Sequence, residues 1–519
     1  MGTRVLLAAF ALYGAAATAP KVILTIIVDD LAWHNVGWHN DAGSAENGTP
    51  HLLALAQSGV ILDRHYCHFT CTPSRSSFLT GRLPVHVQQT LANPDVATAG
   101  IPRNMTALPA RLAEAGFRSH VVGKWDAGAS TAAHTPAGRG FNGSLVYFEH
   151  MNYYYTQNIC PTGTSCNMSK YNYLRDLWDG NRPAQPNPTD AYIEYLFAER
   201  LLDIIAAHDM AAGPLYLQYN SHVTHWPLQV PKEWYDKFLW VEDDEAACGD
   251  DIPHVWPGAN KTVVSCRRQL LAMIALVDEI VGNVTAAIRA RGWYNDTLIL
   301  FTPDNGGSVD TSENAGSNYP LRGGKYDGFE GGIRTAAFVS GGYVPPVVRG
   351  TVLDAPISIA DWFSTFLGLV GVNPFDIRAN TSSPVLPPVD SLDVWPLISG
   401  TNASSPRTEL PVSPQILMQF EPDGGPIYKL MLGAFGRAGW QVRASSSGYE
   451  AVLRKSSWCR APAQHATSER PCRDPHTQIA HHLRMTQRLF SITAGAAASL
   501  TYAQTLLNTL ISLRRSLHA

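Results

Sequence analysis

The sequence predicts an α/β fold: a large, mostly parallel β-sheet sandwiched by helices, with a smaller C-terminal antiparallel α+β domain. Three observations carry this. Val22 to Val28 and Thr297 to Phe301 are unbroken apolar, β-branched runs, the pattern of strands buried on both faces. Amphipathic helical stretches alternate with such runs, as in α/β sandwiches. From about Ser405 the pattern changes to short strands joined by Gly- and Pro-rich turns.

Val22 to Val28 ends at Asp29-Asp30, so two carboxylates sit at a strand's C-terminal end, where open α/β sheets bind ligands. Thr49-Pro50 opens a helix through Leu52, Leu53 and Leu55, with Gly59 as its stop. Asp190 to His208 is an amphipathic helix, Leu215 to Tyr219 a strand, and Arg267 to Arg291 a long helix. Thr297 to Phe301 is followed by Asp304-Asn305, a second acid and amide after a buried strand. Ile357 to Leu369 reads as helix, and the Pro-rich stretch from Asn373 to Asp390 as a surface loop. Gln415 to Phe420, Tyr428 to Leu432 and Trp440 to Arg443 are the short strands of the smaller domain. Leu489 to Leu513 carries no charge, but Ser, Thr, Gln and Asn interrupt it, which favours a terminal helix over a tail anchor. The expected division is a leader at 1–19, a main domain at 20–404 and the smaller domain at 405–519.

The first residues have the form of a signal peptide. Arg4 precedes an apolar stretch from Val5 to Ala17, and Ala17-Thr18-Ala19 fits small-x-small cleavage, so the mature chain is expected to begin near Pro20. The stretch is too short to span a bilayer comfortably. Glycosylation sequons at Asn47, Asn104, Asn142, Asn167, Asn260, Asn283, Asn295, Asn380 and Asn402 agree with export. The expectation is the secretory pathway, ending in the medium, a cell wall or a lysosome-like compartment. In that setting the 8 cysteines are by default disulfide-bonded. Neighbours can pair as Cys160–Cys166, Cys248–Cys266 and Cys459–Cys472, although spacing does not fix connectivity. The chain of 519 residues has a formal net charge of -4. No basic run points to nucleic acid, and no acidic block to a disordered tail.

The segment Cys71-Thr72-Pro73-Ser74-Arg75-Ser76-Ser77-Phe78-Leu79-Thr80-Gly81-Arg82 carries the chemistry. Pro73 and Ser74 suit a helix start, which places Cys71 at a helix N-terminus, a position that favours negative charge. Arg75 adds a fixed cation. Asp29, Asp30, Asp304 and Asn305 offer only oxygen ligands, a set that suits a hard cation, calcium ahead of magnesium.

Cys71, Pro73, Arg75, Leu79, Thr80, Gly81 and Arg82 match the signature of the sulfatase family, which this sequence resembles from about Val22 to Leu432. Thr302-Pro303-Asp304-Asn305-Gly306-Gly307 is a second matching block. Thr49-Pro50-His51-Leu52, Pro227-Leu228-Gln229-Val230-Pro231 and Asn318 to Lys325 resemble the arylsulfatase B (N-acetylgalactosamine-4-sulfatase) branch most closely.

The resemblance implies a hydrolase of sulfate monoesters, with a sulfated carbohydrate or aryl sulfate as substrate. It implies that a separate formylglycine-generating enzyme oxidises Cys71 to formylglycine, whose hydrate attacks sulfur with one hydroxyl and expels sulfate with the other. It implies that Asp29, Asp30, Asp304, Asn305 and the modified Cys71 bind the metal ion. Lys124 in Gly123-Lys124-Trp125 and Lys325 in Gly324-Lys325 would contact sulfate beside Arg75. His225, preferred over His222 for its Pro-Leu-Gln-Val-Pro context, would bind sulfate and protonate the leaving oxygen.

One position departs from the family. Asp126 stands where Gly-Lys-Trp is usually followed by the histidine that takes a proton as sulfate leaves. Either Asp126 is itself the base, or a nearby histidine such as His134 takes over. The open alternatives are a phosphate or phosphonate ester hydrolase on the same scaffold, and a non-catalytic secreted glycoprotein.

Overall fold

The computed structural model describes residues 19–432, apart from 41–43, 45, 47, 89–98, 160–173, 185–190, 242–255, 258–264, 310–314 and 422–426. The expected leader, the expected strand at Trp440 to Arg443 and the uncharged stretch Leu489 to Leu513 lie outside the described residues. So do Cys160, Cys166, Cys248, Cys459 and Cys472.

Eleven strands form one sheet. They are β1 (Val22–Val28), β2 (Val60–Tyr66), β3 (Arg118–Lys124), β4 (Gly143–Tyr147), β5 (Trp178–Asp179), β6 (Arg182–Pro183), β7 (Leu215–Ser221), β8 (Thr297–Pro303), β9 (Arg334–Ser340), β10 (Thr351–Leu353) and β11 (Ile357–Ser358). The order is β10-β2-β9-β8-β1-β7-β3-β4-β5-β6, and β11 also pairs with β2. The centre, β8-β1-β7-β3-β4, is parallel throughout. β9 runs antiparallel to its neighbours β2 and β8, and β5 and β6 close the far edge antiparallel.

The unbroken apolar character of β1 is a consequence of this geometry. Side chains alternate between faces along a strand, and here both faces are covered. Val22, Leu24, Ile26 and Val28 enter one core, shared with helices Pro50–Gln57, Ile193–Ala207 and Cys266–Ala290. Ile23 and Ile27 enter the other, with Phe78 and Leu79 and the helix Asp361–Leu369. Helix Cys266–Ala290 is apolar and long enough to cross a membrane, but it packs inside the protein against the other two helices of its face.

The stretch expected as one helix from Ile357 to Leu369 is two elements. Ile357 and Ser358 pair with His65 and Tyr66 of β2, and the helix begins only at Asp361. Asp361 Oδ2 accepts from Ser358 N–H at 2.8 Å, which turns the chain out of the sheet. A two-residue strand is too short for periodicity to separate it from a first helical turn.

After residue 405, β12 (Glu409–Ser413), β13 (Ile416–Phe420) and β14 (Ile427–Met431) form an antiparallel three-stranded sheet. Leu410, Val412, Ile416, Met418 and Phe420 pack on Tyr66, Leu83, Val85, Ile333 and Ala360, so this sheet leans on the edge of the large one. The described sequon residues Asn104, Asn142, Asn283, Asn295, Asn380 and Asn402 are all exposed.

Half of the cysteine-containing segment is scaffolding. Helix Cys71–Thr80 is buried along its whole length. It ends at Gly81, which takes φ 65°, donates its N–H to Ser77 O, and leaves 2.7 Å between an added Cβ and the Phe363 ring. Thr80 Oγ1 donates to Ser76 O at 2.8 Å. Arg82 turns inward to Asp376 at 3.0 Å and to Pro387 O at 2.8 Å. Gly81→Ala would place a side chain in left-handed backbone against Phe363. We expect it to cost about 1–3 kcal/mol, read as a lower urea midpoint. An unchanged midpoint would remove this explanation of the glycine.

Candidate active site

The parallel register decides which residues meet. Val28 of β1 lies beside Ser221 of β7 and Pro303 of β8, so the three strands end level. The residues just past the three strand ends therefore converge: Asp29-Asp30 after β1, His222 to His225 after β7, Asp304-Asn305 after β8. Lys124 is the last residue of β3. Gly123 before it allows the approach, since a Cβ there would fall 1.8 Å from Asn220 O. Asp30 and Asp126 take φ 57° and 46°, a conformation that Asp tolerates better than most residues and that turns the chain sharply at both strand ends.

The site is a buried network of acids and bases. Lys124 Nζ donates to Asp29 Oδ2 at 2.6 Å, and Lys325 Nζ to Asp30 Oδ2 at 2.7 Å. Arg75 Nε donates to Asp304 Oδ2 at 2.9 Å, and Arg75 Nη2 lies 2.8 Å from the same oxygen. Asp30 N–H donates to Asp304 Oδ1 at 3.3 Å, and Asn305 Nδ2 to Asp30 Oδ1 at 2.7 Å. Cys71 opens its helix inside this network and donates its Sγ–H to Asp29 Oδ1 at 3.3 Å.

The packing sets the electrostatics. Burial, with Asp29 beside it, pushes the Asp304 carboxyl up to about 6, against the pull of Arg75. Burial acts the same way on Asp30, but Lys325, His225 and Lys124 outweigh it and hold Asp30 at about 2. Burial opposes the charge on Arg75, Lys124 and Lys325 too, yet the adjacent carboxylates win and all three stay protonated. The Cys71 thiol is driven well above its usual range by burial and then by Asp29 and Asp304. An unmodified Cys71 is thus a neutral thiol and a poor nucleophile.

Asp29, Asp30, Cys71 and His225 present candidate ligand atoms within 4.8 Å of one another. Asp304 and Asn305 join them through the hydrogen bonds above. Asn305 Oδ1 is buried with no hydrogen-bond partner among the described residues, an oxygen left ready for a cation. The donor set and the concentration of carboxylates fit a hard divalent ion.

The two histidines after β7 separate clearly. His225 Nε2 lies 3.8 Å from Asp30 Oδ2, and its Nδ1 donates to Trp226 O at 2.6 Å, leaving the Nε2 lone pair toward the cluster. Burial and then Lys325 depress its pKa to about 3, so it is neutral. His222 is fully buried and stacks on Tyr154 with ring centroids 4.1 Å apart.

Asp126 is placed with Lys124, its Oδ2 3.5 Å from Lys124 Nζ. Thr72 Oγ1 donates to its Oδ1 at 2.6 Å, and His150 Nδ1 to the same oxygen at 2.8 Å. The expected stand-in, His134, bonds Thr131 Oγ1 at 2.8 Å instead. His150 is the residue that sequence reasoning missed. Its signal is topological: β3 and β4 are parallel with Lys124 beside Tyr147, so residues just past the two strand ends must meet. Cys67 is buried and bonded to no other cysteine among the described residues, and burial raises its thiol to about 12.

A family model described as Sulfatase matches residues 21–372. The chain is 30% identical to mouse (Mus musculus) arylsulfatase J over 76% of this chain, but it spans only 58% of that protein. It is 27% identical to mouse N-acetylgalactosamine-6-sulfatase, covering 75% of this chain and 68% of that one. Among solved structures, Ps i-CgsB bound to k-i-k-neocarrahexaose shares the fold with a TM-score of 0.60 and 23% identity, over 80% of this chain and 86% of that one. PsFucS1 sulfatase from Pseudoalteromonas sp. does so with a TM-score of 0.59 and 22% identity, over 80% and 82%. A family match across most of the chain, together with this shared fold, means that the chain belongs to the sulfatase family.

Proposed function

We propose that the protein is a sulfuric ester hydrolase that cleaves sulfate monoesters of sugars, using formylglycine made from Cys71 and a bound calcium ion. The observation that carries this reading is Cys71 itself. It sits inside a cluster of carboxylates and fixed cations, where burial and the neighbouring acids keep it a neutral thiol. Conversion to formylglycine by a separate generating enzyme would supply a hydrated aldehyde as nucleophile, and Asp29, Asp30, Asp304 and Asn305 would hold a calcium ion, which when bound would lower the pKa of that hydroxyl and neutralise sulfate oxygens.

The chain's own residues do the rest. Lys124, Lys325 and Arg75 provide cations that do not titrate near neutral pH, as an anionic ester requires. Burial keeps the local dielectric low, which strengthens each contact. His225 faces the cluster through Nε2, a position suited to the leaving-group oxygen. The sugar reading follows the similarity to N-acetylgalactosamine-6-sulfatase and to the neocarrahexaose-bound Ps i-CgsB, and a cavity of about 560 Å³ lies beside residues 148–149, lined in part by Phe148, Arg175, Asp176 and Trp178. The Phe148 and Trp178 rings, 5.4 Å apart, offer an apolar wall of the kind ligand pockets use. The expected leader and the exposed sequons support maturation along the secretory pathway, with residues 20–404 as the catalytic domain and 405–519 as the smaller one.

Three measurements test this. Mass spectrometry of the peptide spanning residue 71 from the native source should find formylglycine; only unmodified thiol or a disulfide would refute the hydrolase reading. Removal of divalent cations should abolish aryl sulfate hydrolysis, with calcium restoring more than magnesium; full activity after chelation would refute the metal site. Lys325→Ala should lower kcat/KM by about 100-fold or more on aryl sulfate, and a variant with wild-type kinetics would remove Lys325 from the site.

A further inference from the structure

We propose that Asp126 and His150 work as one proton-accepting pair, in place of the histidine expected after Gly123-Lys124-Trp125. The inference rests on the hydrolase reading above. Asp126 is 1% exposed. Its Oδ1 is saturated by Thr72 and His150. Its Oδ2 is buried, has no hydrogen-bond partner among the described residues, and lies 3.5 Å from Lys124 Nζ. Lys124 in turn touches Asp29, the carboxylate that Cys71 contacts. An acceptor oxygen is thus tied to residue 71 by two routes: through Lys124 and Asp29, and through Thr72, the next residue in the chain, which bonds the other oxygen of the same carboxylate.

An isolated carboxylate would be a poor choice there, because it would repel an anionic sulfate ester. His150 removes that objection. Its imidazole bonds Asp126, and its side chain is 16% exposed, whereas Asp126 is shut in. Burial works against a proton on His150, but Asp126 raises its affinity above that of an ordinary histidine. The pair is then formally neutral. Burial favours a proton on Asp126, but His150 and Lys124 outweigh it and hold the carboxyl well below its usual range, so Oδ2 becomes an effective base as His150 gives up its proton.

In the step that frees sulfate, the second hydroxyl at position 71 gives its proton to Asp126 Oδ2. The carbonyl C=O forms from that oxygen, the C–O bond to sulfate breaks, and its electron pair leaves on sulfate. As Oδ2 takes that proton, His150 releases its Nε2 proton to water, so the pair stays neutral, and exchange with water afterwards restores the carboxylate and the imidazolium. Asp126 is the catalytic residue of the pair, and His150 acts through it.

The test separates the two half-reactions. Transfer to position 71 governs kcat/KM, and release governs kcat. Asp126→Asn and His150→Gln should therefore lower kcat by about 100-fold while leaving kcat/KM nearly unchanged. The quenched variants should also retain a sulfuryl group on the residue-71 peptide. His150→Gln keeps a donor for Asp126 but cannot carry a proton, so it separates relay from packing. A second arm uses Cys71→Ser protein, which needs no modification. There His150, followed by NMR, should hold its proton to higher pH than a free histidine, and Asp126→Asn should cancel the rise. Wild-type kcat in His150→Gln with no retained sulfuryl group, or a His150 titration indifferent to Asp126→Asn, would overturn the pair. If wild-type protein turned over no sulfate ester, the hydrolase reading would fall and the catalytic role with it, while the NMR arm would still judge whether the pair exists.

Discussion

Three carboxylates held together out of water are the constraint on which the rest of this structure depends. Asp29, Asp30 and Asp304 are all buried, and the Asp30 backbone N–H donates to the Asp304 carboxylate. Like charges at such range cannot all ionise without compensation. The protein answers with Lys124, Lys325 and Arg75, each placed against one acid. Burying an ion pair rarely stabilises a fold more than apolar packing would. Six buried charges are therefore better explained by chemistry than by stability. The apolar cores on both faces of the sheet must supply the stability that this end gives up.

The sheet makes the arrangement possible. Parallel strands that end level deliver the residues beyond them to one place, and four adjacent strands do so here. That is why so much of the site is legible in the sequence. Val22 to Val28 and Thr297 to Phe301 must be apolar on both faces, so they stand out as unbroken runs, and the acids after them are visible by contrast. The segment from Cys71 to Arg82 is legible for another reason. Its residues are fixed by two demands at once: Cys71 and Arg75 face the acids, while Gly81 and Arg82 anchor the helix from behind.

The illegible parts share a cause as well. His150 comes after a strand whose alternation is short, and only the pairing of β3 with β4 brings it to Asp126. No local pattern announces a contact made by register. Ile357 reads as helix because its burial, which comes from pairing with β2, imitates a helical periodicity over so few residues. His134 is eligible by its distance along the chain, yet the turn it occupies points it at Thr131.

The charge balance gives Asp126 its meaning. Without it, three acids meet three fixed cations and the protein part of the site is formally neutral. A bound dication would then make the site cationic, the sign that would attract a sulfate monoester and stabilise developing charge on its oxygens. An unpaired Asp126 would cancel part of that excess at the point where the anion must sit. A histidine at 126 avoids the problem by being neutral. An aspartate avoids it only if a cation accompanies it from outside the inner cluster, since the three inner cations are already engaged. His150 comes from just past the next strand over, bonds Asp126 directly, and has some access to water. A base that is anionic in isolation can therefore occupy this position without changing the net charge that the substrate meets.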